Sequence, residues 1–85
     1  MSFSSPIVEL DLHGYTADQA QVEIDRALSL AGPGTYKIKC IHGFNHGTAI
    51  KNMIYREFGH GLSTKVKRIA PGENQGITEL ILREL

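Results

Sequence analysis

Two stretches of this chain share an arrangement that strongly limits its fold. In each, a strand pattern ends in a His-Gly turn and a helical pattern follows at once. Apolar and polar residues alternate over 7–12 (IVELDL), with the turn at 13–14, and over 36–41 (YKIKCI), with the turn at 42–43. A strand, a helix and a second strand in this order form a right-handed crossover, so we expect the two strands to lie parallel.

The two helical patterns begin and end at recognisable residues. The first begins at Thr16, which fits a capping box with Gln19, and it ends at the Gly-Pro-Gly segment 32–34. The second spans residues 48–58, and a glycine-containing segment follows it. Both patterns place apolar residues on one side at helical spacing, so we expect both helices to pack on a sheet.

The last third of the chain predicts a hairpin. Residues 65–70 (KVKRIA) and 77–85 (ITELILREL) predict two strands, although a C-terminal helix is the alternative for the Leu-rich second stretch. The six-residue loop between them suits an antiparallel pair. Because the strand patterns alternate, only one face of the sheet is covered. We therefore predict an α/β fold, an α+β two-layer sandwich of order βαβαββ. Its four-stranded mixed sheet has two helices on one face and a partly charged second face.

Length and composition predict one domain in a reducing compartment. Eighty-five residues suffice for one core and are too few for two, so we expect a single domain over 7–85 and a short tail over 1–6. The one cysteine, Cys40, falls at a core position and allows no internal disulfide, which suits the cytoplasm. The first ten residues do not resemble a signal peptide, and no stretch approaches the ~20 apolar residues of a membrane span.

Polar side chains collect where the predicted parallel strands end and the helices begin. The carboxyl ends of such strands lie beside helix N-termini, whose N–H groups favour anions. The candidate residues are Asp11, His13 and Gly14 in the first turn, and His42, Gly43, Asn45, His46, Gly47 and Thr48 in the second. They predict a phosphate site in which two imidazoles permit general acid–base chemistry.

Simpler roles for the same residues stay open. Asp11 caps a helix or a turn in one alternative, and His13 is a solvated turn residue in another. A third alternative is a metal site built from Asp11, His42 and His46, because the two histidines have H-x3-H spacing, although they lie in a Gly-rich loop. Whether a divalent cation is a cofactor is therefore left open.

The lysines offer a second candidate surface. The net charge of zero counts against tight nucleic-acid binding, so the positions of the basic residues matter more than their number. Lys37, Lys39, Lys65 and Lys67 alternate on the second and third predicted strands and predict a stripe that follows phosphates on the open face. The alternative is that these lysines keep an edge or an exposed face soluble.

The expected oligomeric state depends on where the last predicted strand lies in the sheet. If that strand lies at a sheet edge, Ile77, Ile81 and Leu85 could support a weak homodimer, and otherwise we expect a monomer.

Two of these segments together resemble the Smr (small MutS-related) domain family. Residues 10–14 (LDLHG), followed by an amphipathic helix, resemble the signature of that family. Residues 41–43 (IHG) resemble the start of its HGxG motif, and Gly76 matches a glycine typical of the family before the last strand. The fourth position of HGxG, usually glycine, is Asn45 here, and Gly47 comes two residues later.

The resemblance, which spans about 8–82, implies a βαβαββ fold and endonuclease or nicking activity on DNA or RNA. It places Asp11, His13, His42 and Gly43 in the functional cleft. We expect Asp11 and His13 to activate or position the nucleophile, and His42 to hold the phosphate. Two alternatives are a non-enzymatic nucleic-acid-binding module that has lost catalysis, and a binder of small phosphates or nucleotides.

Overall fold

The computed structural model describes residues 6–43, 48–59 and 65–83. Its elements are β1 (Ile7–Asp11), α1 (Ala17–Leu30), β2 (Lys37–Ile41), α2 (Ala49–Phe58), β3 (Arg68–Pro71) and β4 (Ile77–Ile81). The predicted order βαβαββ is confirmed, and the last element is a strand instead of the alternative helix. No helix in the described part of the chain is long and apolar enough to cross a membrane.

The strand order in the sheet is β1-β2-β4-β3. β1 and β2 are parallel, as the crossover rule predicts, and β4 is antiparallel to both β2 and β3. The last strand therefore lies inside the sheet, so the condition on which the weak homodimer depended is not met. Its backbone groups pair on both sides, so β4 offers no free edge to a second copy of the chain.

The third strand begins later than predicted, at Arg68, and the predicted alternation of Lys65 and Lys67 on it is wrong. The Lys65 Nζ atom donates a hydrogen bond to the carbonyl of Leu28 at 2.7 Å. That carbonyl lies in the last turn of α1, where carbonyls lack helical partners and a lysine stabilises them. The Lys65 side chain thus binds the C-terminal end of α1. The backbone N of Lys67, which immediately precedes β3, donates to the carbonyl of Ile81 in β4.

The core lies between the sheet and both helices, as the alternating pattern predicts. Every second residue of β1, β2 and β4 is buried, while the residues between them are exposed or half-buried, except for Ile81 at the end of β4, which is also buried. The buried cluster joins these strand residues to one face of each helix; its members include Val8, Leu10, Ile24, Ala27, Ile38, Cys40, Met53, Ile54, Phe58 and Leu80. Burial raises the pKa of the Cys40 thiol to about 12, so this cysteine is an inert core residue.

The capping box at the start of α1 is present. The backbone N of Gln19 donates to Thr16 Oγ1 at 3.1 Å, and the backbone N of Thr16 donates to Gln19 Oε1 at 3.0 Å. We expect Thr16→Ala to lower the free energy of unfolding by about 1 kcal/mol, measured by urea denaturation. Thr48→Ala is the control, because the Thr48 hydroxyl at the N-cap of α2 makes no capping hydrogen bond. Equal losses in the two variants would contradict a contribution from the box.

Candidate functional site

The two His-Gly turns leave the sheet side by side. Asp11 and Ile41 are paired at the ends of the parallel strands β1 and β2, and the backbone N of Leu12 donates to the Ile41 carbonyl at 2.7 Å. A Cβ atom placed on Gly43 would lie 3.8 Å from the Cβ atom of His13. The structure therefore brings His13 against the backbone of the second turn.

Asp11 and His13 form a hydrogen-bonded pair at the end of the sheet where β1 and β2 finish. The Asp11 Oδ1 atom accepts from His13 Nδ1, and also from the His13 backbone N at 3.4 Å. Since a carboxylate only accepts, the ring proton is on Nδ1. Among the described residues, none forms a hydrogen bond with His13 Nε2, and the side chain is 71% exposed. Asp11 thus orients an imidazole whose second nitrogen faces solvent.

The pair has a measurable electrostatic consequence. The hydrogen bond from His13 holds the pKa of Asp11 below its ordinary value. We expect His13→Ala to raise that pKa, measured by following the Asp11 carboxyl carbon by NMR during a pH titration. Tyr15→Ala, a change in the same turn, is the control. An unchanged Asp11 pKa in His13→Ala would contradict the pairing.

The lowered pKa also sets the sign of the effect on stability. A carboxyl whose pKa is lower in the folded state stabilises the fold above its unfolded pKa, and this contribution is lost as the pH falls through the lowered value. Because Asp11 and His13 are both mostly exposed, solvent screens the pair and the loss in acid is small.

His42 is bonded differently from His13. Its ring is buried, with Nδ1 2.8 Å from the Gly43 carbonyl oxygen and Nε2 2.8 Å from the Thr78 Oγ1 atom. A carbonyl only accepts, so Nδ1 carries the proton, and in the neutral ring the Thr78 hydroxyl donates to Nε2. Both ring nitrogens are therefore occupied. Of the two predicted imidazoles, His13 alone presents a nitrogen to solvent, and the catalytic role of His42 stays a prediction.

The backbone of the second turn is held by Gly76. The backbone N atoms of His42 and Gly43 donate to the Gly76 carbonyl at 2.9 and 3.0 Å. These two N–H groups are therefore engaged and do not point at an anion. Gly43 has φ +74°, in the left-handed region that favours glycine, as does Gly14 with φ +81°. Because Gly43 has no side chain of its own, its backbone leaves the adjacent side of His13 uncovered.

The two helix N-termini differ in how well they suit an anion. The first turn of α1 is capped by Thr16 and carries Asp18, whose charge opposes an anion. α2 has no side-chain cap and no acid in its first turn, and Lys51 is its third residue. Among the described residues, Thr48 Oγ1 accepts a hydrogen bond from the Asn52 side chain alone, at 3.2 Å. The start of α2 is thus the better place for a phosphate. The predicted site residues Asn45, His46 and Gly47 lie outside the described residues.

Comparison with solved structures agrees with this geometry. No protein-family model and no curated protein matches the sequence. The Smr domain of Thermus thermophilus MutS2 superposes with a TM-score of 0.78 and 27% sequence identity, over 91% of this chain and 99% of that chain. The chain is an Smr-like domain. The resemblance inferred from the two motifs and the predicted α/β sandwich are both confirmed.

The open face of the Smr-like domain carries lysines that are paired with carboxylates. Lys37 Nζ lies 3.2 Å from Glu79 Oε1. Lys39 Nζ forms an ion pair with Glu73 and lies 3.7 Å from Glu9 Oε2. Lys65 and Lys67 lie before β3, so the four lysines do not form the predicted alternating stripe. Their role in binding phosphates stays a prediction.

Within the described residues of the Smr-like domain, no group of three or more His, Cys, Asp or Glu side chains could hold a metal ion. Of the residues proposed for a metal site, His42 already uses both nitrogens, and His46 lies outside the described part of the chain.

The sequence prediction missed Thr78. It named Gly76 only as a glycine typical of the family and missed that the Gly76 carbonyl accepts from the His42 and Gly43 backbone N atoms. Thr78 is a polar residue on the buried side of β4, where its neighbour in the pattern is Leu80. A threonine at an inward position of an otherwise apolar strand is a signal for a buried hydrogen bond, although it does not tell which partner is bound.

Proposed function

We propose that this Smr-like domain binds nucleic acid and cleaves its phosphodiester bonds as an endonuclease acting on DNA or RNA. The observation that carries the proposal is the exposed pair of Asp11 and His13, which lies beside the glycine turn at Gly43. An oriented imidazole next to an open backbone suits proton transfer at a bound phosphodiester.

In the proposed reaction, His13 is the general base. Asp11 holds the proton on Nδ1, so the lone pair of Nε2 is free to take a proton from an attacking water or ribose 2′-hydroxyl. That oxygen forms the new bond to phosphorus, and the bond to the leaving oxygen breaks with the electron pair on the leaving group, which takes a proton from solvent. The Asp11 carboxylate stabilises the imidazolium that forms.

The phosphate charge would be held by the second half of the cleft. Backbone N–H groups at the start of α2, with Thr48 and Lys51, favour the non-bridging oxygens. Gly14 and Gly43 let a phosphodiester approach His13 without meeting a side chain. We keep Asn45, His46 and Gly47 in the proposed binding surface because they join Gly43 to this helix start.

The test is a cleavage assay on labelled supercoiled DNA and structured RNA, with and without EDTA. We expect the wild-type domain to cleave one of these substrates, His13→Ala to be inactive, and Asp25→Asn, which changes an exposed carboxylate on α1, to match the wild type. The EDTA lanes report whether a divalent cation is required. Absence of cleavage between about pH 6 and about pH 9, with several divalent ions, would contradict the enzymatic proposal.

A second candidate is a nucleic-acid-binding module without catalysis. It is favoured by the engagement of both His42 nitrogens, which leaves His13 as the one available imidazole among the described residues of the cleft, and by Asn45 in the second motif. NMR shift mapping with oligonucleotides distinguishes the candidates, because the module responds at the cleft without any product. No response to any oligonucleotide would argue against both.

We also propose that the activity resides in one domain over 7–85, which acts as a monomer in the cytoplasm. A monomer is favoured because β4, on which the proposed dimer depended, is an inner strand.

A further inference from the structure

We propose that Thr78 is a positioning residue for the turn on which His13 rests. The Thr78 hydroxyl donates to His42 Nε2 and holds the ring in place, and that ring in turn fixes the direction of the Gly43 carbonyl. The proposal concerns this geometry, and only its effect on cleavage rests on the proposed function.

The first step is the contact between Thr78 and His42. Thr78 lies on the helix-facing side of β4, is 1% exposed, and is paired across the sheet with Cys40 of β2. His42 follows β2 by one residue, and its Nε2 atom lies 2.8 Å from Thr78 Oγ1. Because the Gly43 carbonyl on the other side of the ring can only accept, the ring proton is on Nδ1, and the Thr78 hydroxyl donates its one proton to the Nε2 lone pair.

The second step is the contact between His42 and the turn. With the proton on Nδ1, the ring donates to the carbonyl of Gly43 at 2.8 Å. The backbone N of Gly43 is already held by Gly76 at 3.0 Å. The peptide groups on both sides of the Gly43 Cα atom are therefore fixed, and the residue is kept at φ +74°.

The third step leads to the candidate site. The space where a side chain on Gly43 would begin is 3.8 Å from the Cβ atom of His13. A rotation of the Gly43 peptide would alter the surface against which the His13 side chain lies and the path by which a phosphodiester approaches it. Thr78 would thus act on His13 through two intervening residues, without touching a substrate.

The experiment compares Thr78→Val with Thr78→Ser. Valine keeps the branched shape and loses the donor, whereas serine keeps the hydroxyl. Long-range ¹H–¹⁵N NMR spectra, recorded at about pH 8 to disfavour the doubly protonated ring, report the tautomer of His42. We expect the Nδ1–H form with a hydrogen-bonded Nε2 in the wild type and in Thr78→Ser, and in Thr78→Val a shift of the Nε2 signal toward that of an imidazole nitrogen without a donor. The backbone signal of Gly43 and the ring signals of His13 should shift in Thr78→Val only.

Thr35→Val is the matched control. Thr35 is equally buried, at 1% exposure, but it precedes β2 at the opposite end of that strand. Loss of its hydroxyl should leave the His42 Nε2 signal and the Gly43 signal unchanged. An Nε2–H form of His42 in the wild type would overturn the proposal without any variant. So would equal shifts at Gly43 in Thr78→Val and Thr35→Val, which would indicate a general loss of stability.

Cleavage measurements add a separate outcome. If the domain is a nuclease, we expect the turnover rate of Thr78→Val to fall about tenfold with little change in substrate affinity, and Thr78→Ser to restore most of it. Shifts at His42 Nε2 and Gly43 without any loss of rate would overturn the positioning of His13 and leave the proposed function intact. A wild-type domain that does not cleave would overturn the proposed function, while the NMR result would still decide the role of Thr78.

Discussion

His13→Ala is expected to lower the rate of phosphodiester cleavage by about 10²- to 10⁴-fold, the range that a positioned general base contributes. The exposed Nε2 atom of His13 is the only imidazole nitrogen in the described part of the cleft for which no described residue is a hydrogen-bond partner. Its removal should leave nucleic-acid affinity nearly unchanged, because the phosphate contacts that we propose lie at the start of α2. Single-turnover kinetics under saturating enzyme separate these two effects.

The Asp11→Asn variant tests the contribution of the carboxylate charge separately from that of the His13 ring. The amide removes the charge that stabilises the imidazolium, so we expect a smaller loss of rate than in His13→Ala, with the ring still present. Asp25→Asn removes an equally exposed carboxylate from α1 and should have the wild-type rate. Cleavage by His13→Ala at the wild-type rate would be incompatible with His13 as the base, whatever the behaviour of the two aspartate variants.

The second large effect is expected from Ile38→Ala in the middle of β2. Ile38 is completely buried, and β2 lies between β1 and β4, so its side chain packs in the centre of the core. Truncating a buried isoleucine to alanine costs about 2 to 5 kcal/mol, because apolar burial is lost and a cavity is left. A small domain has a stability on the order of 5 kcal/mol, so we expect the variant to be partly or largely unfolded at room temperature.

Ile7→Ala is the matched control for this prediction. Ile7 is also an isoleucine in a strand, but it is 40% exposed on the open face of the sheet. Urea denaturation followed by circular dichroism should show a loss of less than about 1 kcal/mol for Ile7→Ala and a several-fold larger loss for Ile38→Ala. Similar midpoints for the two variants would mean that the helix-facing side of the sheet does not carry the stability of the domain.

Local sequence determined the elements of this protein and half of its candidate site. The capping box of Thr16 and Gln19 starts α1 because its two hydrogen bonds span only three residues. The alternation along β1 and β2 marks the face that the helices cover, since successive side chains point to opposite sides of a strand. The pair of Asp11 and His13 is likewise local, two residues apart in one turn.

Tertiary structure alone decided the arrangement of the last two strands. The alternation of apolar and polar residues shows which face of a strand is buried, but it does not show which strands pair with it. β4 could have been an edge strand by pattern, and its insertion between β2 and β3 follows from hydrogen bonding on both of its sides. The start of β3 at Arg68 instead of Lys65 depends in the same way on where pairing with β4 ends.

The other half of the site also required the fold. Thr78 lies 36 residues from His42 in the chain, and Gly76 reaches the His42 and Gly43 N–H groups only because β4 pairs with β2. The sequence therefore determined that two His-Gly turns meet at one edge of a sheet. The tertiary contacts decided that, among the described residues, the exposed His13 ring keeps one nitrogen without a partner while the His42 ring is buried and bonded at both nitrogens. The physical reason is that a ring nitrogen is available only when no neighbour brought by the fold has already satisfied it.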